Sequence, residues 1–481
     1  MNQQKSLIRN TLNSAVSSFS TVFLFFLLIL SGRYLGADDF GRFSFAMAFV
    51  FLFDPILDPG LYHLFIREIA RKKEDAKAYL SHALTWKLLL SPLVFLTISI
   101  IVNIIHDDKR TVQAVYLMAV ASFLKSFKDV LRTSLMANEF FGWNASTIVI
   151  DRILLLSFGA FVLLNGMGLL WLCWVFVLSR AVDLIITLVI VFHKVCKVTI
   201  GKDIRFVKNI VISAVPIGAF YITINIYNYV DTVMLSVLRT NAEVGWYNAS
   251  YKIYEGLFIF PGILCTVFMP RLSLLYKESK ELFEKLLIRG MKYVFFLALM
   301  VSVNGVLLSN KVIITFFGDS YMNSIASMDI LLVGALFVFS LNFLHMVMIA
   351  MYKQRVILVL AIFGLVLNVA LNLLLIPRHG YLGAAFATVA VESLLFITLN
   401  LYLYKLIHRV EVFNVFGKCI LSSILPVMIF VWVIPVTLIY LKLFLINIST
   451  IILLLILGYL DEEELKYLSN LIYLRKKVVT S

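Results

Sequence analysis

Fourteen apolar stretches follow one another along this chain, each about as long as a hydrocarbon crossing, roughly 20 residues, with short polar gaps between them. They occupy 15–30, 43–65, 80–105, 112–137, 146–164 and 169–192, then 210–238, 244–269, 287–308, 330–352, 356–376 and 384–406, and finally 420–441 and 444–460. Lipid offers no hydrogen-bond partners, so a crossing segment must satisfy its own backbone as a helix or as part of a closed barrel. Barrel strands need only about 9–11 residues, so these stretches read as helices. Of the 481 residues, 61% are hydrophobic and only 15% are charged. A soluble protein carries about 25% charged residues, and no soluble fold hides that much apolar surface.

Little chain remains for a catalytic domain. There is no phosphate-binding glycine loop, no dinucleotide fingerprint, no HExxH and no paired Cys/His cluster. The four cysteines, Cys173, Cys196, Cys265 and Cys419, are scattered, so neither a disulfide framework nor a metal site is expected. The sequence is therefore read as a non-enzyme without cofactor or metal. The polar start with Lys5 and Arg9 leads into an apolar stretch lacking a small-residue cleavage site, and is read as a retained first helix.

A formal charge of +14 suggests nucleic acid in a soluble protein. In a polytopic membrane protein it reflects the cytoplasmic bias of Lys and Arg, and no nucleic-acid partner is expected. With the N-terminus in the cytoplasm, the inner loops hold 25 Lys and Arg and the outer loops 8. Both termini are then cytoplasmic, which needs an even number of crossings.

At an offset of 204 residues, Gly41, Phe43, Arg67 and Glu74 match Gly245, Tyr247, Arg271 and Glu278. This repeat, with the basic stretch 194–208 after six spans, gives the expected architecture. It is an all-α membrane protein of about 14 helices, with an N-lobe at 1–193 and a linker at 194–208. A C-lobe follows at 209–406, then helices 13 and 14 at 407–460 and a cytoplasmic tail at 461–481. Parallel repeats of this kind recur in transporters that hold substrate between the halves.

A charge at the bilayer centre costs ~2.5–3.5 kcal/mol on insertion scales, so each needs a reason. Lys125, Lys128, Asp129 and Arg132 share one face of the fourth span by their i, i+3, i+4, i+7 spacing. They form either a mutually paired seam or the wall of a hydrated cavity. The cavity is favoured, because Asp129 can neutralise only one of three cations. Lys87 in the third span fits a cavity cation or a snorkelling side chain equally. Asp54 and Asp58, beside Pro55 and Pro59, suit either a coupling cation or packing within a broken helix. Arg180 and Asp183 are spaced to pair with each other, whereas the neighbours Asp151 and Arg152 must each look to other helices. Tyr221, Asn225, Asn228 and Asp231 form a stripe on the seventh span. Tyr247, Tyr251, Tyr254 and Glu255 do so on the eighth. Such stripes are packing, interfacial belt or a sugar-facing surface.

The chain resembles the bacterial O-antigen and capsular polysaccharide repeat-unit flippases, in the polysaccharide-transporter branch of the multidrug/oligosaccharidyl-lipid/polysaccharide (MOP) exporter superfamily. The segments that carry the resemblance begin with Arg33-Tyr-Leu-Gly36, Phe40-Gly41, Asp58-Pro-Gly60 and Arg67-Glu-Ile-Ala70. They continue with Tyr227, Asp231-Thr-Val-Met-Leu235, Val244-Gly-Trp-Tyr247 and Met269-Pro-Arg-Leu272. Phe317-Gly318, Tyr321, Ser324, Asn368, Asn372, Ile376-Pro377, Gly380-Tyr-Leu-Gly-Ala-Ala385 and Glu392 complete them. The resemblance implies a V-shaped pair of six-helix lobes plus two C-terminal helices in the bacterial inner membrane. It implies movement of an undecaprenyl-diphosphate-linked oligosaccharide, for lipopolysaccharide or capsule, from the cytoplasmic to the periplasmic leaflet by alternating access. Coupling would be to H+ or Na+, and a polysaccharide polymerase and chain-length regulator would be partners. On this reading Lys125, Lys128, Arg132 and Lys87 are candidates for the diphosphate. Tyr247, Tyr251, Tyr254, Asn225 and Asn228 are candidates for sugar, and Asp54, Asp58, Asp129, Asp231 and Glu255 for the coupling ion. A multidrug exporter of the same superfamily, a lipid II flippase and, further off, a polysaccharide polymerase are the rivals.

Overall fold

The computed structural model describes residue 13 and residues 16–407 and 412–459. The cations at 5, 9, 409, 466 and 475–477, and the expected tail at 461–481, lie outside the described residues. Among those described, regular structure is helical throughout.

Two compact units divide the chain, and several helices pass from one to the other. The first comprises 1–253, 312–327 and 358–387, and the second 254–311, 328–357 and 388–481. The first is built on α1 (Thr21–Phe51), α2 (Leu61–Arg71), α3 (Ala76–Ile105), α4 (Lys109–Ala137), α5 (Phe141–Leu164), α6 (Leu169–Lys194), α7 (Ile204–Leu238) and most of α8 (Asn241–Gly256). The rest of the described helices are α9 (Ile259–Glu278), α10 (Lys280–Phe317), α11 (Ser324–Ala350), α12 (Gln354–Leu406), α13 (Val412–Val433) and α14 (Ile439–Ile456).

Among the described residues ten helices are long and apolar enough to cross a membrane, or up to eleven when α7, bent by 66° across residues 216–217, counts as one span. The difference from fourteen sequence segments has local causes. Helix α1 runs on through Gly36, whose φ of 75° and ψ of 171° interrupt it, and α12 through Gly380, with φ 57° and ψ −137°. Two pairs of apolar segments therefore join as kinked helices. Helix α4 falls outside the apolar set because its own charges make it too polar.

Gly41 on α1 and Gly245 on α8 mark a close crossing in the first unit. A Cβ on Gly41 would collide with the Asn241 carbonyl, and one on Gly245 with the Ala37 carbonyl. These contacts are reciprocal under the same offset of 204 residues read in the sequence. A second approach joins Gly60, at φ 104°, to Gly218 on α7, where a Cβ on Gly60 would lie 2.6 Å from the Ala214 carbonyl oxygen.

The second unit is tied by polar contacts between helices, a common device where lipid removes the hydrophobic driving force. Asn304 and Asn447 exchange amide hydrogen bonds at 3.1 and 2.8 Å. Ser302 donates to the Leu332 carbonyl at 2.7 Å, and Tyr459 to that of Lys292 at 2.6 Å. Phe295, Phe337, Phe396 and Phe416 pack as a ring cluster.

Candidate functional site

The chain breaks between α1 and α2, and the break positions two carboxylates. Pro55 sits where a single helical turn, Asp54–Leu57, begins, and Asp58 leaves it with non-helical backbone at φ −135° and ψ 75°. Proline at the first turn costs no helical hydrogen bond, because that N–H has no partner there. Asp58 accepts from the Tyr62 N–H at 3.2 Å, which ties it to the start of α2.

This break, α4 and α7 enclose a partly open cavity of about 280 Å³. Its charged and polar lining includes Asp54, Asp58, Tyr62, His63, Lys125, Ser126, Asp129, Tyr221 and Asn225. Lys125 and Asp129 pair at 3.1 Å. Lys87 reaches Asp58 at 3.0 Å from beneath, with no exposed surface, and its Nζ also donates to Ser126 Oγ at 2.7 Å and to the Ser126 carbonyl at 3.1 Å. Asp54 accepts from Ser122 Oγ. His63 stacks on Tyr221 with ring centroids 4.1 Å apart and planes 15° from parallel.

A buried cluster adjoins the cavity, with Arg132 Nη1 4.0 Å from Asp129 of the lining. Asp183 on α6 receives Arg132 through both carboxylate oxygens, at 3.0 and 2.9 Å, and Lys128 at 2.9 Å. Asp151 on α5 takes Arg180 at 2.6 Å. Pairing between Arg180 and Asp183, expected from their spacing, is thereby corrected. Both project from α6 onto neighbouring helices, where each meets an opposite charge. Buried charges persist when paired and hydrogen-bonded, and this cluster meets that condition except at Arg132 Nε and at Arg152 Nε and Nη1, which are buried without a hydrogen-bond partner.

The four cations marked for an anion therefore separate. Lys125 faces the cavity, Lys87 seals its floor, and Lys128 and Arg132 are turned to Asp183. Of the acids, Asp54, Asp58 and Asp129 meet in the cavity. Asp231, 5% exposed, lies apart on α7, where it accepts from Tyr247 Oη at 3.0 Å and from Asn372 Nδ2 at 2.6 Å. Asn372 Oδ1 has no donor. Tyr247 stacks on Tyr251 at 5.6 Å, away from the cavity lining. Tyr254 and Glu255 belong to the second unit, where Tyr254 is buried against Phe258 at 5.0 Å. Asn225 is in the cavity wall, and Asn228 is not among its lining residues.

Sequence reasoning missed Asp183 as the second acid of the α4 cluster, although an acid on another span was needed to balance three cations. It also missed Tyr62, which follows Asp54 and Asp58 at four-residue steps, and His63, which carries no sequence signal of its own.

Known proteins share these features. Residues 7–275 match the family described as polysaccharide biosynthesis protein. The chain is 26% identical over 211 residues to the capsular polysaccharide biosynthesis protein CapF of Staphylococcus aureus, covering 44% of this chain and 53% of that one. It is 29% identical over 162 residues to a putative O-antigen transporter of Shigella flexneri, covering 33% of this chain and 37% of the relative. It thus spans about half or less of the curated relatives it matches. Among solved structures it is similar to the lipid II flippase MurJ in an inward closed conformation, with a TM-score of 0.75 at 15% identity, over 92% of this chain and 98% of that one. A multidrug resistance MATE family transporter of the MOP superfamily, inward-facing, follows with a TM-score of 0.68 at 16% identity, over 84% of this chain and 99% of that one. At such identities the likeness speaks for the fold alone, which is similar to that of these two transporters. With its apolar helices and a family match over more than half its length, the chain is a multi-pass membrane protein that belongs to the polysaccharide biosynthesis protein family.

Proposed function

We propose that this protein is a flippase, carrying lipid-linked oligosaccharide repeat units from the cytoplasmic to the periplasmic leaflet by alternating access. One observation carries the reading: a polar cavity walled by a charged helix inside an otherwise apolar helical unit. A sugar–diphosphate headgroup cannot cross hydrocarbon unaided, and such a cavity gives it a polar route while the lipid tail stays in the bilayer. Fourteen crossings follow if α1 and α12 are each divided at their glycine kinks, bent α7 counts once and α4 crosses with its charges turned to protein and cavity. The lobes would be 1–193 and 209–406, joined by 194–208, with 407–460 as the last helices and both termini cytoplasmic. The symmetric Gly41/Gly245 contact supports this repeat.

Lys125 is the cation on the cavity lining, partly exposed while it pairs with Asp129 at 3.1 Å, whereas Lys87, Lys128 and Arg132 are buried against carboxylates in the wall. Coupling to H+ or Na+ is assigned to Asp231, whose carboxylate sits beside the unpartnered Asn372 oxygen, an oxygen-rich setting that suits a hard cation. A polysaccharide polymerase and a chain-length regulator are the expected partners, in the inner membrane.

Expression in a strain lacking its own flippase should restore surface polysaccharide, and Lys125→Met at matched expression should lower it. Unrestored polysaccharide with correctly inserted protein would contradict the proposal. The multidrug reading draws on one observation, the three carboxylates against one lysine in the lining. Resistance across a panel of cationic drugs, without polysaccharide rescue, would establish it instead.

A further inference from the structure

The cavity's unused bonding capacity has a definite chemical sense. Lys125 is engaged by Asp129 at 3.1 Å and Lys87 by Asp58 at 3.0 Å. Asp54, by contrast, has no ion-pair partner among the described residues; it accepts a hydrogen bond from the neutral Ser122 hydroxyl. Asn225 Oδ1, in the same wall, has no donor. What the cavity lacks is donors and one positive charge.

A diphosphate brings only acceptors and negative charge, and would meet three carboxylates with one committed lysine. A sugar brings hydroxyl donors. Its C–H face also suits the stacked His63/Tyr221 pair, whose Tyr221 is 51% exposed. The volume of about 280 Å³ is at the small end for ligand pockets, roughly 300 Å³, and matches a sugar residue better than a whole repeat unit. The remaining carboxylate, Asp54, calls for a cation, because an unpaired charge in a membrane-embedded site is costly.

We propose that this cavity seats a sugar residue carrying a protonated amino group, with Asp54 as the ammonium's partner, while the diphosphate lies elsewhere along the path. This rests on the flippase reading and narrows its substrate class to glycans with a free amino group.

The test uses the full chain in nanodiscs of neutral phospholipid and three synthetic probes. Each is a polyprenyl diphosphate bearing one glucosamine, one N-acetylglucosamine or one glucuronate. N-acetylation removes the charge and keeps the ring. The glucosamine lipid is expected to bind about tenfold more tightly than the N-acetyl form, with glucuronate weakest. Asp54→Asn should bring glucosamine down to the N-acetyl level and leave the N-acetyl affinity unchanged, whereas Asp54→Glu should keep the preference. Equal affinities, a preference for glucuronate, or a preference that survives Asp54→Asn overturns the inference and leaves the flippase reading standing. Failure of all three lipids to bind the folded protein removes both. If Asp54→Asn does not yield monodisperse protein, the wild-type comparison of glucosamine with its N-acetyl form decides.

Discussion

Gly41 and Gly245 bring α1 and α8 together so closely that neither position has room for a Cβ, each facing a carbonyl of the other helix. The crossing lies about 20 Å along α1 from Asp54, at 1.5 Å per helical residue; on the proposed flippase reading it would close one end of the transport path.

Gly41→Val or Gly245→Val is expected to hold this end apart. Transport should fall by at least about tenfold at matched expression, and a cysteine introduced at Ser126 should label faster with a polar maleimide. Gly262→Ala is the control, because a Cβ there meets nothing within 4 Å. Unchanged labelling and transport in the valine variants would show that the crossing never opens.

Asp183 and Lys125 should separate stability from transport. Asp183→Asn strands Lys128 and Arg132, and breaking a buried pair of this kind costs about 3–5 kcal/mol, which should appear as a large drop in Tm in detergent. Lys125→Met, at a half-exposed pair, should barely move Tm and should slow transport. The opposite pattern would relocate the working residues to the buried cluster.

Lys87 holds Asp58 with no exposed surface of its own. Lys87→Met alone is expected to destabilise by about 3 kcal/mol, because it leaves an uncompensated carboxylate. Lys87→Met with Asp58→Asn should recover part of that loss, with a coupling of about 1–3 kcal/mol. Additive effects in thermal unfolding would show that the pair does not act as one.

His106, just past the end of α3, lies 3.1 Å from the Ser236 hydroxyl of α7 and packs on Phe45. Burial pushes the imidazole below its ordinary value, against the opposing effect of Asp108 and Asp107. The folded contact therefore favours the neutral ring, and its stabilisation is present above about pH 6.5 and lost as the pH falls below it. Burial pushes the Asp108 carboxyl up, but bonds from Arg42, Thr111 and the Arg110 N–H outweigh it and hold the group down at about 2. Asp108 thus stays ionised through that window. Amide protection factors in 103–110 and 232–238, corrected for the base-catalysed intrinsic exchange rate, should fall between about pH 7.5 and about pH 5.5, and His106→Gln should abolish the fall. Protection factors that ignore pH in the wild type would remove this role.

The helical architecture was legible because apolar length is a one-dimensional signal. Gly41 and Gly245, picked out in the sequence by their offset of 204 residues, lie at one close crossing of α1 and α8. Kinks at Gly36 and Gly380 were less legible, because a glycine in an apolar run does not reveal whether it ends a helix or bends it. The face shared by Lys125, Lys128, Asp129 and Arg132 followed from helical spacing, but its division did not. Whether Lys128 meets cavity or protein depends on Asp183, which stands 55 residues on, and spacing within one helix carries no information about the neighbouring one.

The central claim is tested most directly in vesicles holding the purified chain and a fluorescent polyprenyl-diphosphate-linked oligosaccharide, by the rate at which the label becomes accessible to a membrane-impermeant quencher. The account predicts transfer well above that of protein-free vesicles, slowed by Gly41→Val and by Lys125→Met. Transfer no faster than in empty vesicles, with correctly folded protein present, would contradict it.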